Sequence, residues 1–177
     1  MLNKILVAID SSAASQRVFE TGVAFAKALE AELILVHALD VFDPASPQHP
    51  IIPVDNYSMK LDKIVQENYE KEWRAFVDHS EALLKQKQTD AEAVGIRTSH
   101  EMPYGRPGPA ICKAAKTVQA DLIVVGSRGR SGLQELVLGS VSNYIMHHAT
   151  CSVTVVHPHV AAGKQDAQKH RSVVTTT

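Results

Sequence analysis

Two stretches of the sequence concentrate groups that bind anions. One runs Gly126-Ser127-Arg128-Gly129-Arg130-Ser131-Gly132 and is followed by Gly139-Ser140-Val141-Ser142; the other is Asp10-Ser11-Ser12 near the start. Glycine lets backbone N–H groups approach an anion and permits positive φ, while a helix N-terminus presents unpaired donors at the positive end of its dipole. That chemistry suits phosphate. Each hydrogen bond to a charged oxygen contributes about 1.5–3 kcal/mol, so about four or five from Gly126, Gly129, Gly139, Ser140 and Ser142 supply micromolar affinity after the cost of association. Arg128 and Arg130 add charge compensation. An isolated GxxG makes only a tight turn, but here the spacing is more specific. Two residues separate Gly126 from Gly129, nine separate Gly129 from Gly139, and Ser140 follows directly, giving Gx2Gx9G(S/T).

The elements that must hold these groups are written in the hydropathy. Four short, almost continuous apolar runs, Ile5 to Ile9, Leu33 to Val36, Leu122 to Val125 and Val153 to Val156, are rich in β-branched residues, and their length favours strands over helices. Apolarity without alternation means burial on both faces, as in a parallel sheet covered by helices. Between the first two runs, Val18, Gly22, Val23, Ala26 and Leu29 recur at helical spacing, with Ser11 or Ser12 available as N-cap, which completes a βαβ unit.

After Leu39 the segment DVFDPASPQHPIIPVDNYS carries Pro44, Pro47, Pro50 and Pro53, so residues 41–58 are expected to form a proline-rich loop. Loops of about twenty residues in a compact domain are lids, partner-binding segments or excursions without a role. From about Met59 to Ala93, the residues Leu61, Ile64, Val65, Tyr69, Trp73, Phe76, Leu83 and Leu84 recur at helical intervals. They predict one long helix, broken near Lys87 to Thr89, with Trp73 in the core. Gly95 ends it, Ile96 to Met102 reads as a weaker strand near the sheet's edge, and MPYGRPGPA leads into a helix from about Pro109 to Gln119. A strand over residues 121–126, a helix from Gly139 to His148 and a last strand over 152–157, stopped by Pro158, follow. Residues 161–177 have no periodicity and few large apolar groups, and are expected to be a disordered tail. The order is that of an open five-stranded α/β sheet with right-handed crossovers, one domain over residues 1–160. In such sheets ligands bind beyond the carboxyl ends of the strands, where neighbouring connections leave on opposite faces. The exits at Asp10 and Gly126 are therefore the place for the anion chemistry.

Asp10 has two readings. A carboxylate beside a polyphosphate repels it unless a hydroxyl or a cation intervenes, so Asp10 would meet a ribose hydroxyl or a Mg2+-bound water. Equally it would be the N-cap of the first helix, and the two roles can coexist on different oxygens. His37, at the second strand's exit, reads as a hydrogen-bonded wall residue rather than a catalyst. His147 and His148 are adjacent on a helix and point about 100° apart, which disfavours a shared metal site. His157 and His159 flank a proline near the surface and are assigned no role.

The 177 residues carry 18 Lys+Arg against 19 Asp+Glu, too even a balance for the basic face on which sequence-independent nucleic-acid binding relies. No apolar run approaches the roughly 18 residues needed to span a bilayer. The start MLNKILVAID lacks the apolar stretch and cleavage site of a signal peptide. The expectation is a cytoplasmic protein in which Cys112 and Cys151 stay reduced and pack as small hydrophobes.

The glycine spacing, the opening KILVAIDSS, a second strand ending LVHAL, the strand VVGSRGRSG, the helix start LGSVS and the final strand SVTVVHP together make residues 1 to 158 resemble the universal stress protein family, specifically its ATP-binding branch. The resemblance implies a Rossmann-like parallel sheet of strand order 3-2-1-4-5 with helices on both faces and a crevice between Asp10 and Gly126. It implies that Ala8, Ile9 and Asp10 line the adenosine side, that Ala38 offers backbone groups to the adenine edge, and that Val125, Gly126, Arg128 and Gly129 border the ribose and phosphates. Gly139, Ser140, Val141 and Ser142 would hold the phosphate chain. It also implies a homodimer through residues 152–157, because the last strand is then an edge strand with Val153, Val155 and Val156 beside open backbone groups. The proline-rich insertion departs from the family pattern and leaves open whether the pocket is roofed.

The function these features imply is a nucleotide-binding regulatory module for ATP with Mg2+, carried by the phosphates rather than by direct side-chain ligands, acting on a downstream protein partner under stress. One alternative is a slow ATP hydrolase, against which stand the absence of a GxxxxGK(S/T) loop and of a triad or carboxylate–lysine pattern at the strand exits. The other is a dimeric scaffold that binds no nucleotide, which has no need for so many donors in one loop.

Overall fold

The computed structural model describes residues 2–50, 59–127 and 138–158, with the backbone alone at 59–62. The expectations for residues 51–58, for Arg128, Gly129 and Arg130, and for the tail 161–177 lie outside the described residues. Five strands, β1 (Lys4–Ala8), β2 (Glu32–Val36), β3 (Thr98–Glu101), β4 (Leu122–Gly126) and β5 (Ser152–Val156), form one parallel sheet in the order β3-β2-β1-β4-β5. Between them run α1 (Ala14–Leu29), α2 (Met59–Glu92), α3 (Pro107–Val118) and α4 (Ser140–His148). Order and layering are those expected.

The strand pleat explains why the apolar runs do not alternate. Ile5, Val7, Leu33, Leu35, Leu122 and Val124 pack with Val18, Phe19 and Ala26 of α1 and Leu84 and Ala91 of α2. Leu6, Ile34, Val36, Ile123 and Val125 point to the other face and pack with Ile111, Ala114 and Ala115 of α3 and Ile145 of α4. Cys112 and Cys151 border this second cluster, half-buried rather than fully enclosed, and burial pushes both thiols up. At the amino ends, Asp121 accepts the N–H groups of Asn3 (2.7 Å) and Lys4 (3.0 Å), which ties β1 to β4 and holds its carboxyl below the ordinary range.

Four local expectations are corrected. The N-cap of α1 is Ala13, without a side-chain cap bond, because Ser12 turns its hydroxyl back to Asp10. The segment from Lys87 to Thr89 does not break α2. Gln86 bonds Asp90, Gln88 bonds Glu92, and Thr89 donates to the Lys85 carbonyl, so the polar residues brace the helix along its axis. Trp73 is not core. A 34-residue helix is about 50 Å long, whereas strands of this size reach less than half of that, so the first half of α2 overhangs the sheet. Trp73 is half-buried there, stacked with Tyr69 and Tyr104. Finally, α3 starts at Pro107, earlier than expected, since the φ of proline is preorganised for the first helical position. Among the described residues no helix is long and apolar enough to cross a membrane.

The close seating of α1 on β1 needs Gly22, where a Cβ would stand 2.4 Å from Val7 Cγ2. Alanine favours a helix by about 1 kcal/mol over glycine, but overpacking a core costs about 1–3 kcal/mol. Gly22→Ala is expected to lower stability by about 1 kcal/mol in urea unfolding; a gain in stability would contradict this packing.

Candidate functional site

The carboxyl ends of β1, β2 and β4 open into a crevice of about 380 Å³, within the range of small-molecule sites. It exists because α1 and α4 cover opposite faces, so the chain leaving β1 and the chain leaving β4 diverge. Ala8, Ile9 and Asp10 line it from the end of β1, Ala38 from beyond β2, Val125 and Gly126 from β4, and Gly139, Ser140, Val141 and Ser142 from the start of α4. Every predicted site residue that is described thus borders one cavity; Arg128 and Gly129 lie outside the described residues.

Asp10 is not the N-cap of α1 but the head of an Asx turn. Its Oδ1 accepts the Ser12 N–H at 3.0 Å and the Ser12 hydroxyl at 2.6 Å, and its own N–H donates to Ser15 Oγ at 3.0 Å. Among the described residues Oδ2 carries no hydrogen bond and stays available as an acceptor. Ala38 is buried, yet neither its N–H nor its carbonyl has a hydrogen-bond partner among the described residues. That leaves a donor and an acceptor side by side on the β2 wall. His37 is a wall residue, as expected: it is buried, and its Nδ1 lies 2.9 Å from the Ile9 carbonyl, to which it donates.

At the α4 end the donors divide into two groups. The Ser127 carbonyl accepts the Gly139 N–H at 2.7 Å and the Ser142 hydroxyl at 3.2 Å, and that hydroxyl also reaches the Gly139 carbonyl at 3.0 Å. These two groups hold the start of α4 onto the end of β4 and have no proton left for a ligand. Gly139, in extended conformation, caps α4 with no side-chain bond, so among the described residues the first-turn N–H groups of Ser140, Val141 and Ser142 have no partner beside the exposed Ser140 hydroxyl. No acidic residue occupies that turn. Such a set of fixed donors at the positive end of a helix dipole has the chemistry to receive an anion.

Sequence reasoning missed part of the lining. Ser12, Ser15, Asp40, Phe42, Asp43, Pro44 and Pro107 also border the crevice. The available signals were the D-x-x-D-P pattern of consecutive Asx turns at Asp40 and Asp43, and the proline of GRPG at a helix start. Phe42 to Pro44, at the beginning of the proline-rich insertion, therefore supply one wall. Among the described residues no group of three His, Cys, Asp or Glu side chains is placed to hold a metal ion.

The model of the universal stress protein family matches residues 1–157. Universal stress protein YxiE of Bacillus subtilis is 34% identical over 157 residues, which span 88% of this chain and 99% of that one. Among solved structures, universal stress protein UspA from Lactobacillus plantarum is 27% identical, with a TM-score of 0.67 over 88% of this chain and 97% of its own. A universal stress protein in complex with cAMP, 24% identical, has the same fold, with a TM-score of 0.59 over 89% of this chain and 99% of that one.

The Ser142 hydroxyl is a brace in this geometry. Ser142→Ala is expected to lower stability by about 1 kcal/mol, because both carbonyls keep another N–H partner. An unchanged urea midpoint would contradict the tie between α4 and β4.

Proposed function

The chain belongs to the universal stress protein family, and from that premise we propose that it binds ATP with Mg2+ in the crevice at the exits of β1 and β4. It would act in the cytoplasm as a dimeric, nucleotide-dependent regulator of a stress response. Residues 1–160 would form the binding domain, which includes the proline-rich insertion 41–58, and 161–177 would be a tail to it. The observation that carries this reading is that the start of α4, without a side-chain cap, lines the same cavity as Asp10 and as the backbone of Ala38, which has no partner among the described residues.

The residues fit such a ligand by polarity. The three free N–H groups and the Ser140 hydroxyl suit phosphate oxygens, Asp10 Oδ2 suits a ribose hydroxyl, and Ala38 offers one donor and one acceptor to the edge of a base. Mg2+ binds through phosphates and water and needs few protein ligands; when bound, it would neutralise phosphate charge near Asp10. That a protein of this fold holds cAMP, itself an adenine nucleotide, supports the same reading.

Dimerisation is proposed through residues 152–157. Among the described residues β5 ends the sheet and one side of its backbone has no strand partner, and Val153, Val155 and Val156 are only half-buried. Pairing with a two-fold mate would satisfy both. Light scattering at micromolar concentration is expected to give a dimer mass; a monomer mass would remove this part of the proposal.

Ser140→Glu separates binding from folding. A carboxylate in the first turn of α4 favours the helix by about 0.3–1 kcal/mol, yet it would stand where a phosphate is proposed and repel it by about 4 kcal/mol at 4 Å. Titration calorimetry with Mg·ATP is expected to show saturable micromolar binding by the parent and at least about a hundredfold loss in Ser140→Glu. A parent that takes up no ATP, or a variant that binds as the parent does, would overturn the reading.

A further inference from the structure

The crevice has one wall that the phosphate chemistry does not explain. Phe42 borders it and is 72% exposed as a residue. The ring is presented rather than loose. Asp40 Oδ1 accepts the Phe42 N–H at 3.0 Å, and the Asp43 N–H donates to the Asp40 carbonyl at 3.1 Å. The Ser46 hydroxyl reaches the carbonyls of Val41 and Asp43 at 3.0 and 2.8 Å. Asp43 and Ser46 are buried beneath the turn, so the backbone of Phe42 is fixed from both sides. The guanidinium of Arg106, the residue that caps α3, lies 5.5 Å from the ring centroid and covers one face. Among the described residues no other ring or cation stacks on Phe42, and its large exposure leaves area for a flat guest.

Position says which part of a ligand that guest would be. Phe42 stands four residues beyond Ala38 on the β2 exit, whereas the free donors of α4 stand on the β4 exit, and β1 lies between the two strands. Two strand spacings, about 10 Å, therefore separate an aromatic end of the crevice from its anion-binding end. A molecule with an anionic tail and a flat aromatic head matches this polarity in one direction only.

We infer that Phe42 is the stacking wall for the purine base of the bound nucleotide and that Arg106 is a positioning residue that holds the Phe42 ring upright. This rests on the nucleotide reading above. It assigns the recognition of the base to the turn at residues 40–46, so the start of the segment after β2 decides which heads the crevice accepts.

Calorimetry with two probes tests it: Mg·ATP, and inorganic tripolyphosphate, which has the charge but no base. Phe42→Ala is expected to weaken ATP roughly tenfold or more, the usual effect of removing an aromatic stacking partner, and to leave tripolyphosphate within about twofold. Phe42→Leu, which keeps apolar bulk in the same turn, should weaken ATP in the same direction, and Phe42→Trp should restore it. Arg106→Ala should weaken ATP but not tripolyphosphate, with Arg106→Lys recovering the loss. If Phe42→Leu and Phe42→Ala bind ATP as the parent does, or lose both probes equally, the stacking role is wrong. If Arg106→Ala loses both probes equally, Arg106 is a phosphate ligand and its positioning role is wrong. A parent that binds no ATP would instead overturn the nucleotide reading itself.

Discussion

The pairing of β1 with β4 is the contact on which the rest of the molecule depends. Ile5, Leu6 and Val7 lie opposite Leu122, Ile123 and Val124, and Asp121 secures the amino ends by accepting two N–H groups of the incoming strand. Because β1 and β4 are not consecutive in the chain, the connection that leaves each turns to a different face of the sheet. No side chain of the sheet can close the gap between those connections without leaving its own core layer. The crevice is thus a consequence of strand order, and its walls are whatever residues follow β1, β2 and β4.

What those residues supply is graded across the opening. The Ser127 carbonyl gathers the Gly139 N–H and the Ser142 hydroxyl, which consumes two donors and thereby fixes the next three. A fixed donor is worth more to an anion than a mobile one, since no ordering is left to be done on binding. Asp10, tied down at Oδ1 by Ser12, keeps a carboxylate oxygen beside this donor set. Beyond Ala38 the lining turns aromatic at Phe42. Charge, hydrogen bonding and a flat apolar surface follow one another along a single cavity, and this order is what a nucleotide presents.

Much of this was legible in the sequence, and the exceptions are instructive. The strands could be read because burial on both faces leaves no room for polar alternation in runs such as ILVAI and LIVVG. The glycine- and serine-rich start of α4 could be placed on the crevice because the exit of β4 leads into it. What could not be read was where shared protons go. Ser142 and Ser140 look alike in sequence, but the brace to Ser127 depends on β4 and α4 meeting in space. Ser12 looked like a cap whose hydroxyl oxygen would accept an N–H of α1, and instead that hydroxyl donates to Asp10 and completes the turn there. Trp73 carried the periodicity of a core residue because α2 keeps one apolar stripe along its whole length, although the sheet covers only part of it. Phe42 had only an indirect signal, the D-x-x-D-P pattern of the two Asx turns around it, which the proline-rich composition obscures.

The central claim is that the crevice at the carboxyl ends of the strands, rather than the comparable groove at their amino ends, receives the nucleotide. That second groove has a volume of about 360 Å³ and is lined by Lys27, Glu30, Val94 and Arg97 among others, so it offers cations but no unpaired helix start. Following backbone amide resonances by NMR during a Mg·ATP titration separates the two. The account predicts saturable shifts at Asp10, Ala38, Ser140 and Val141, with Lys27, Val94 and Arg97 unmoved. Shifts confined to Lys27, Val94 and Arg97, or none anywhere at millimolar ATP, would contradict it.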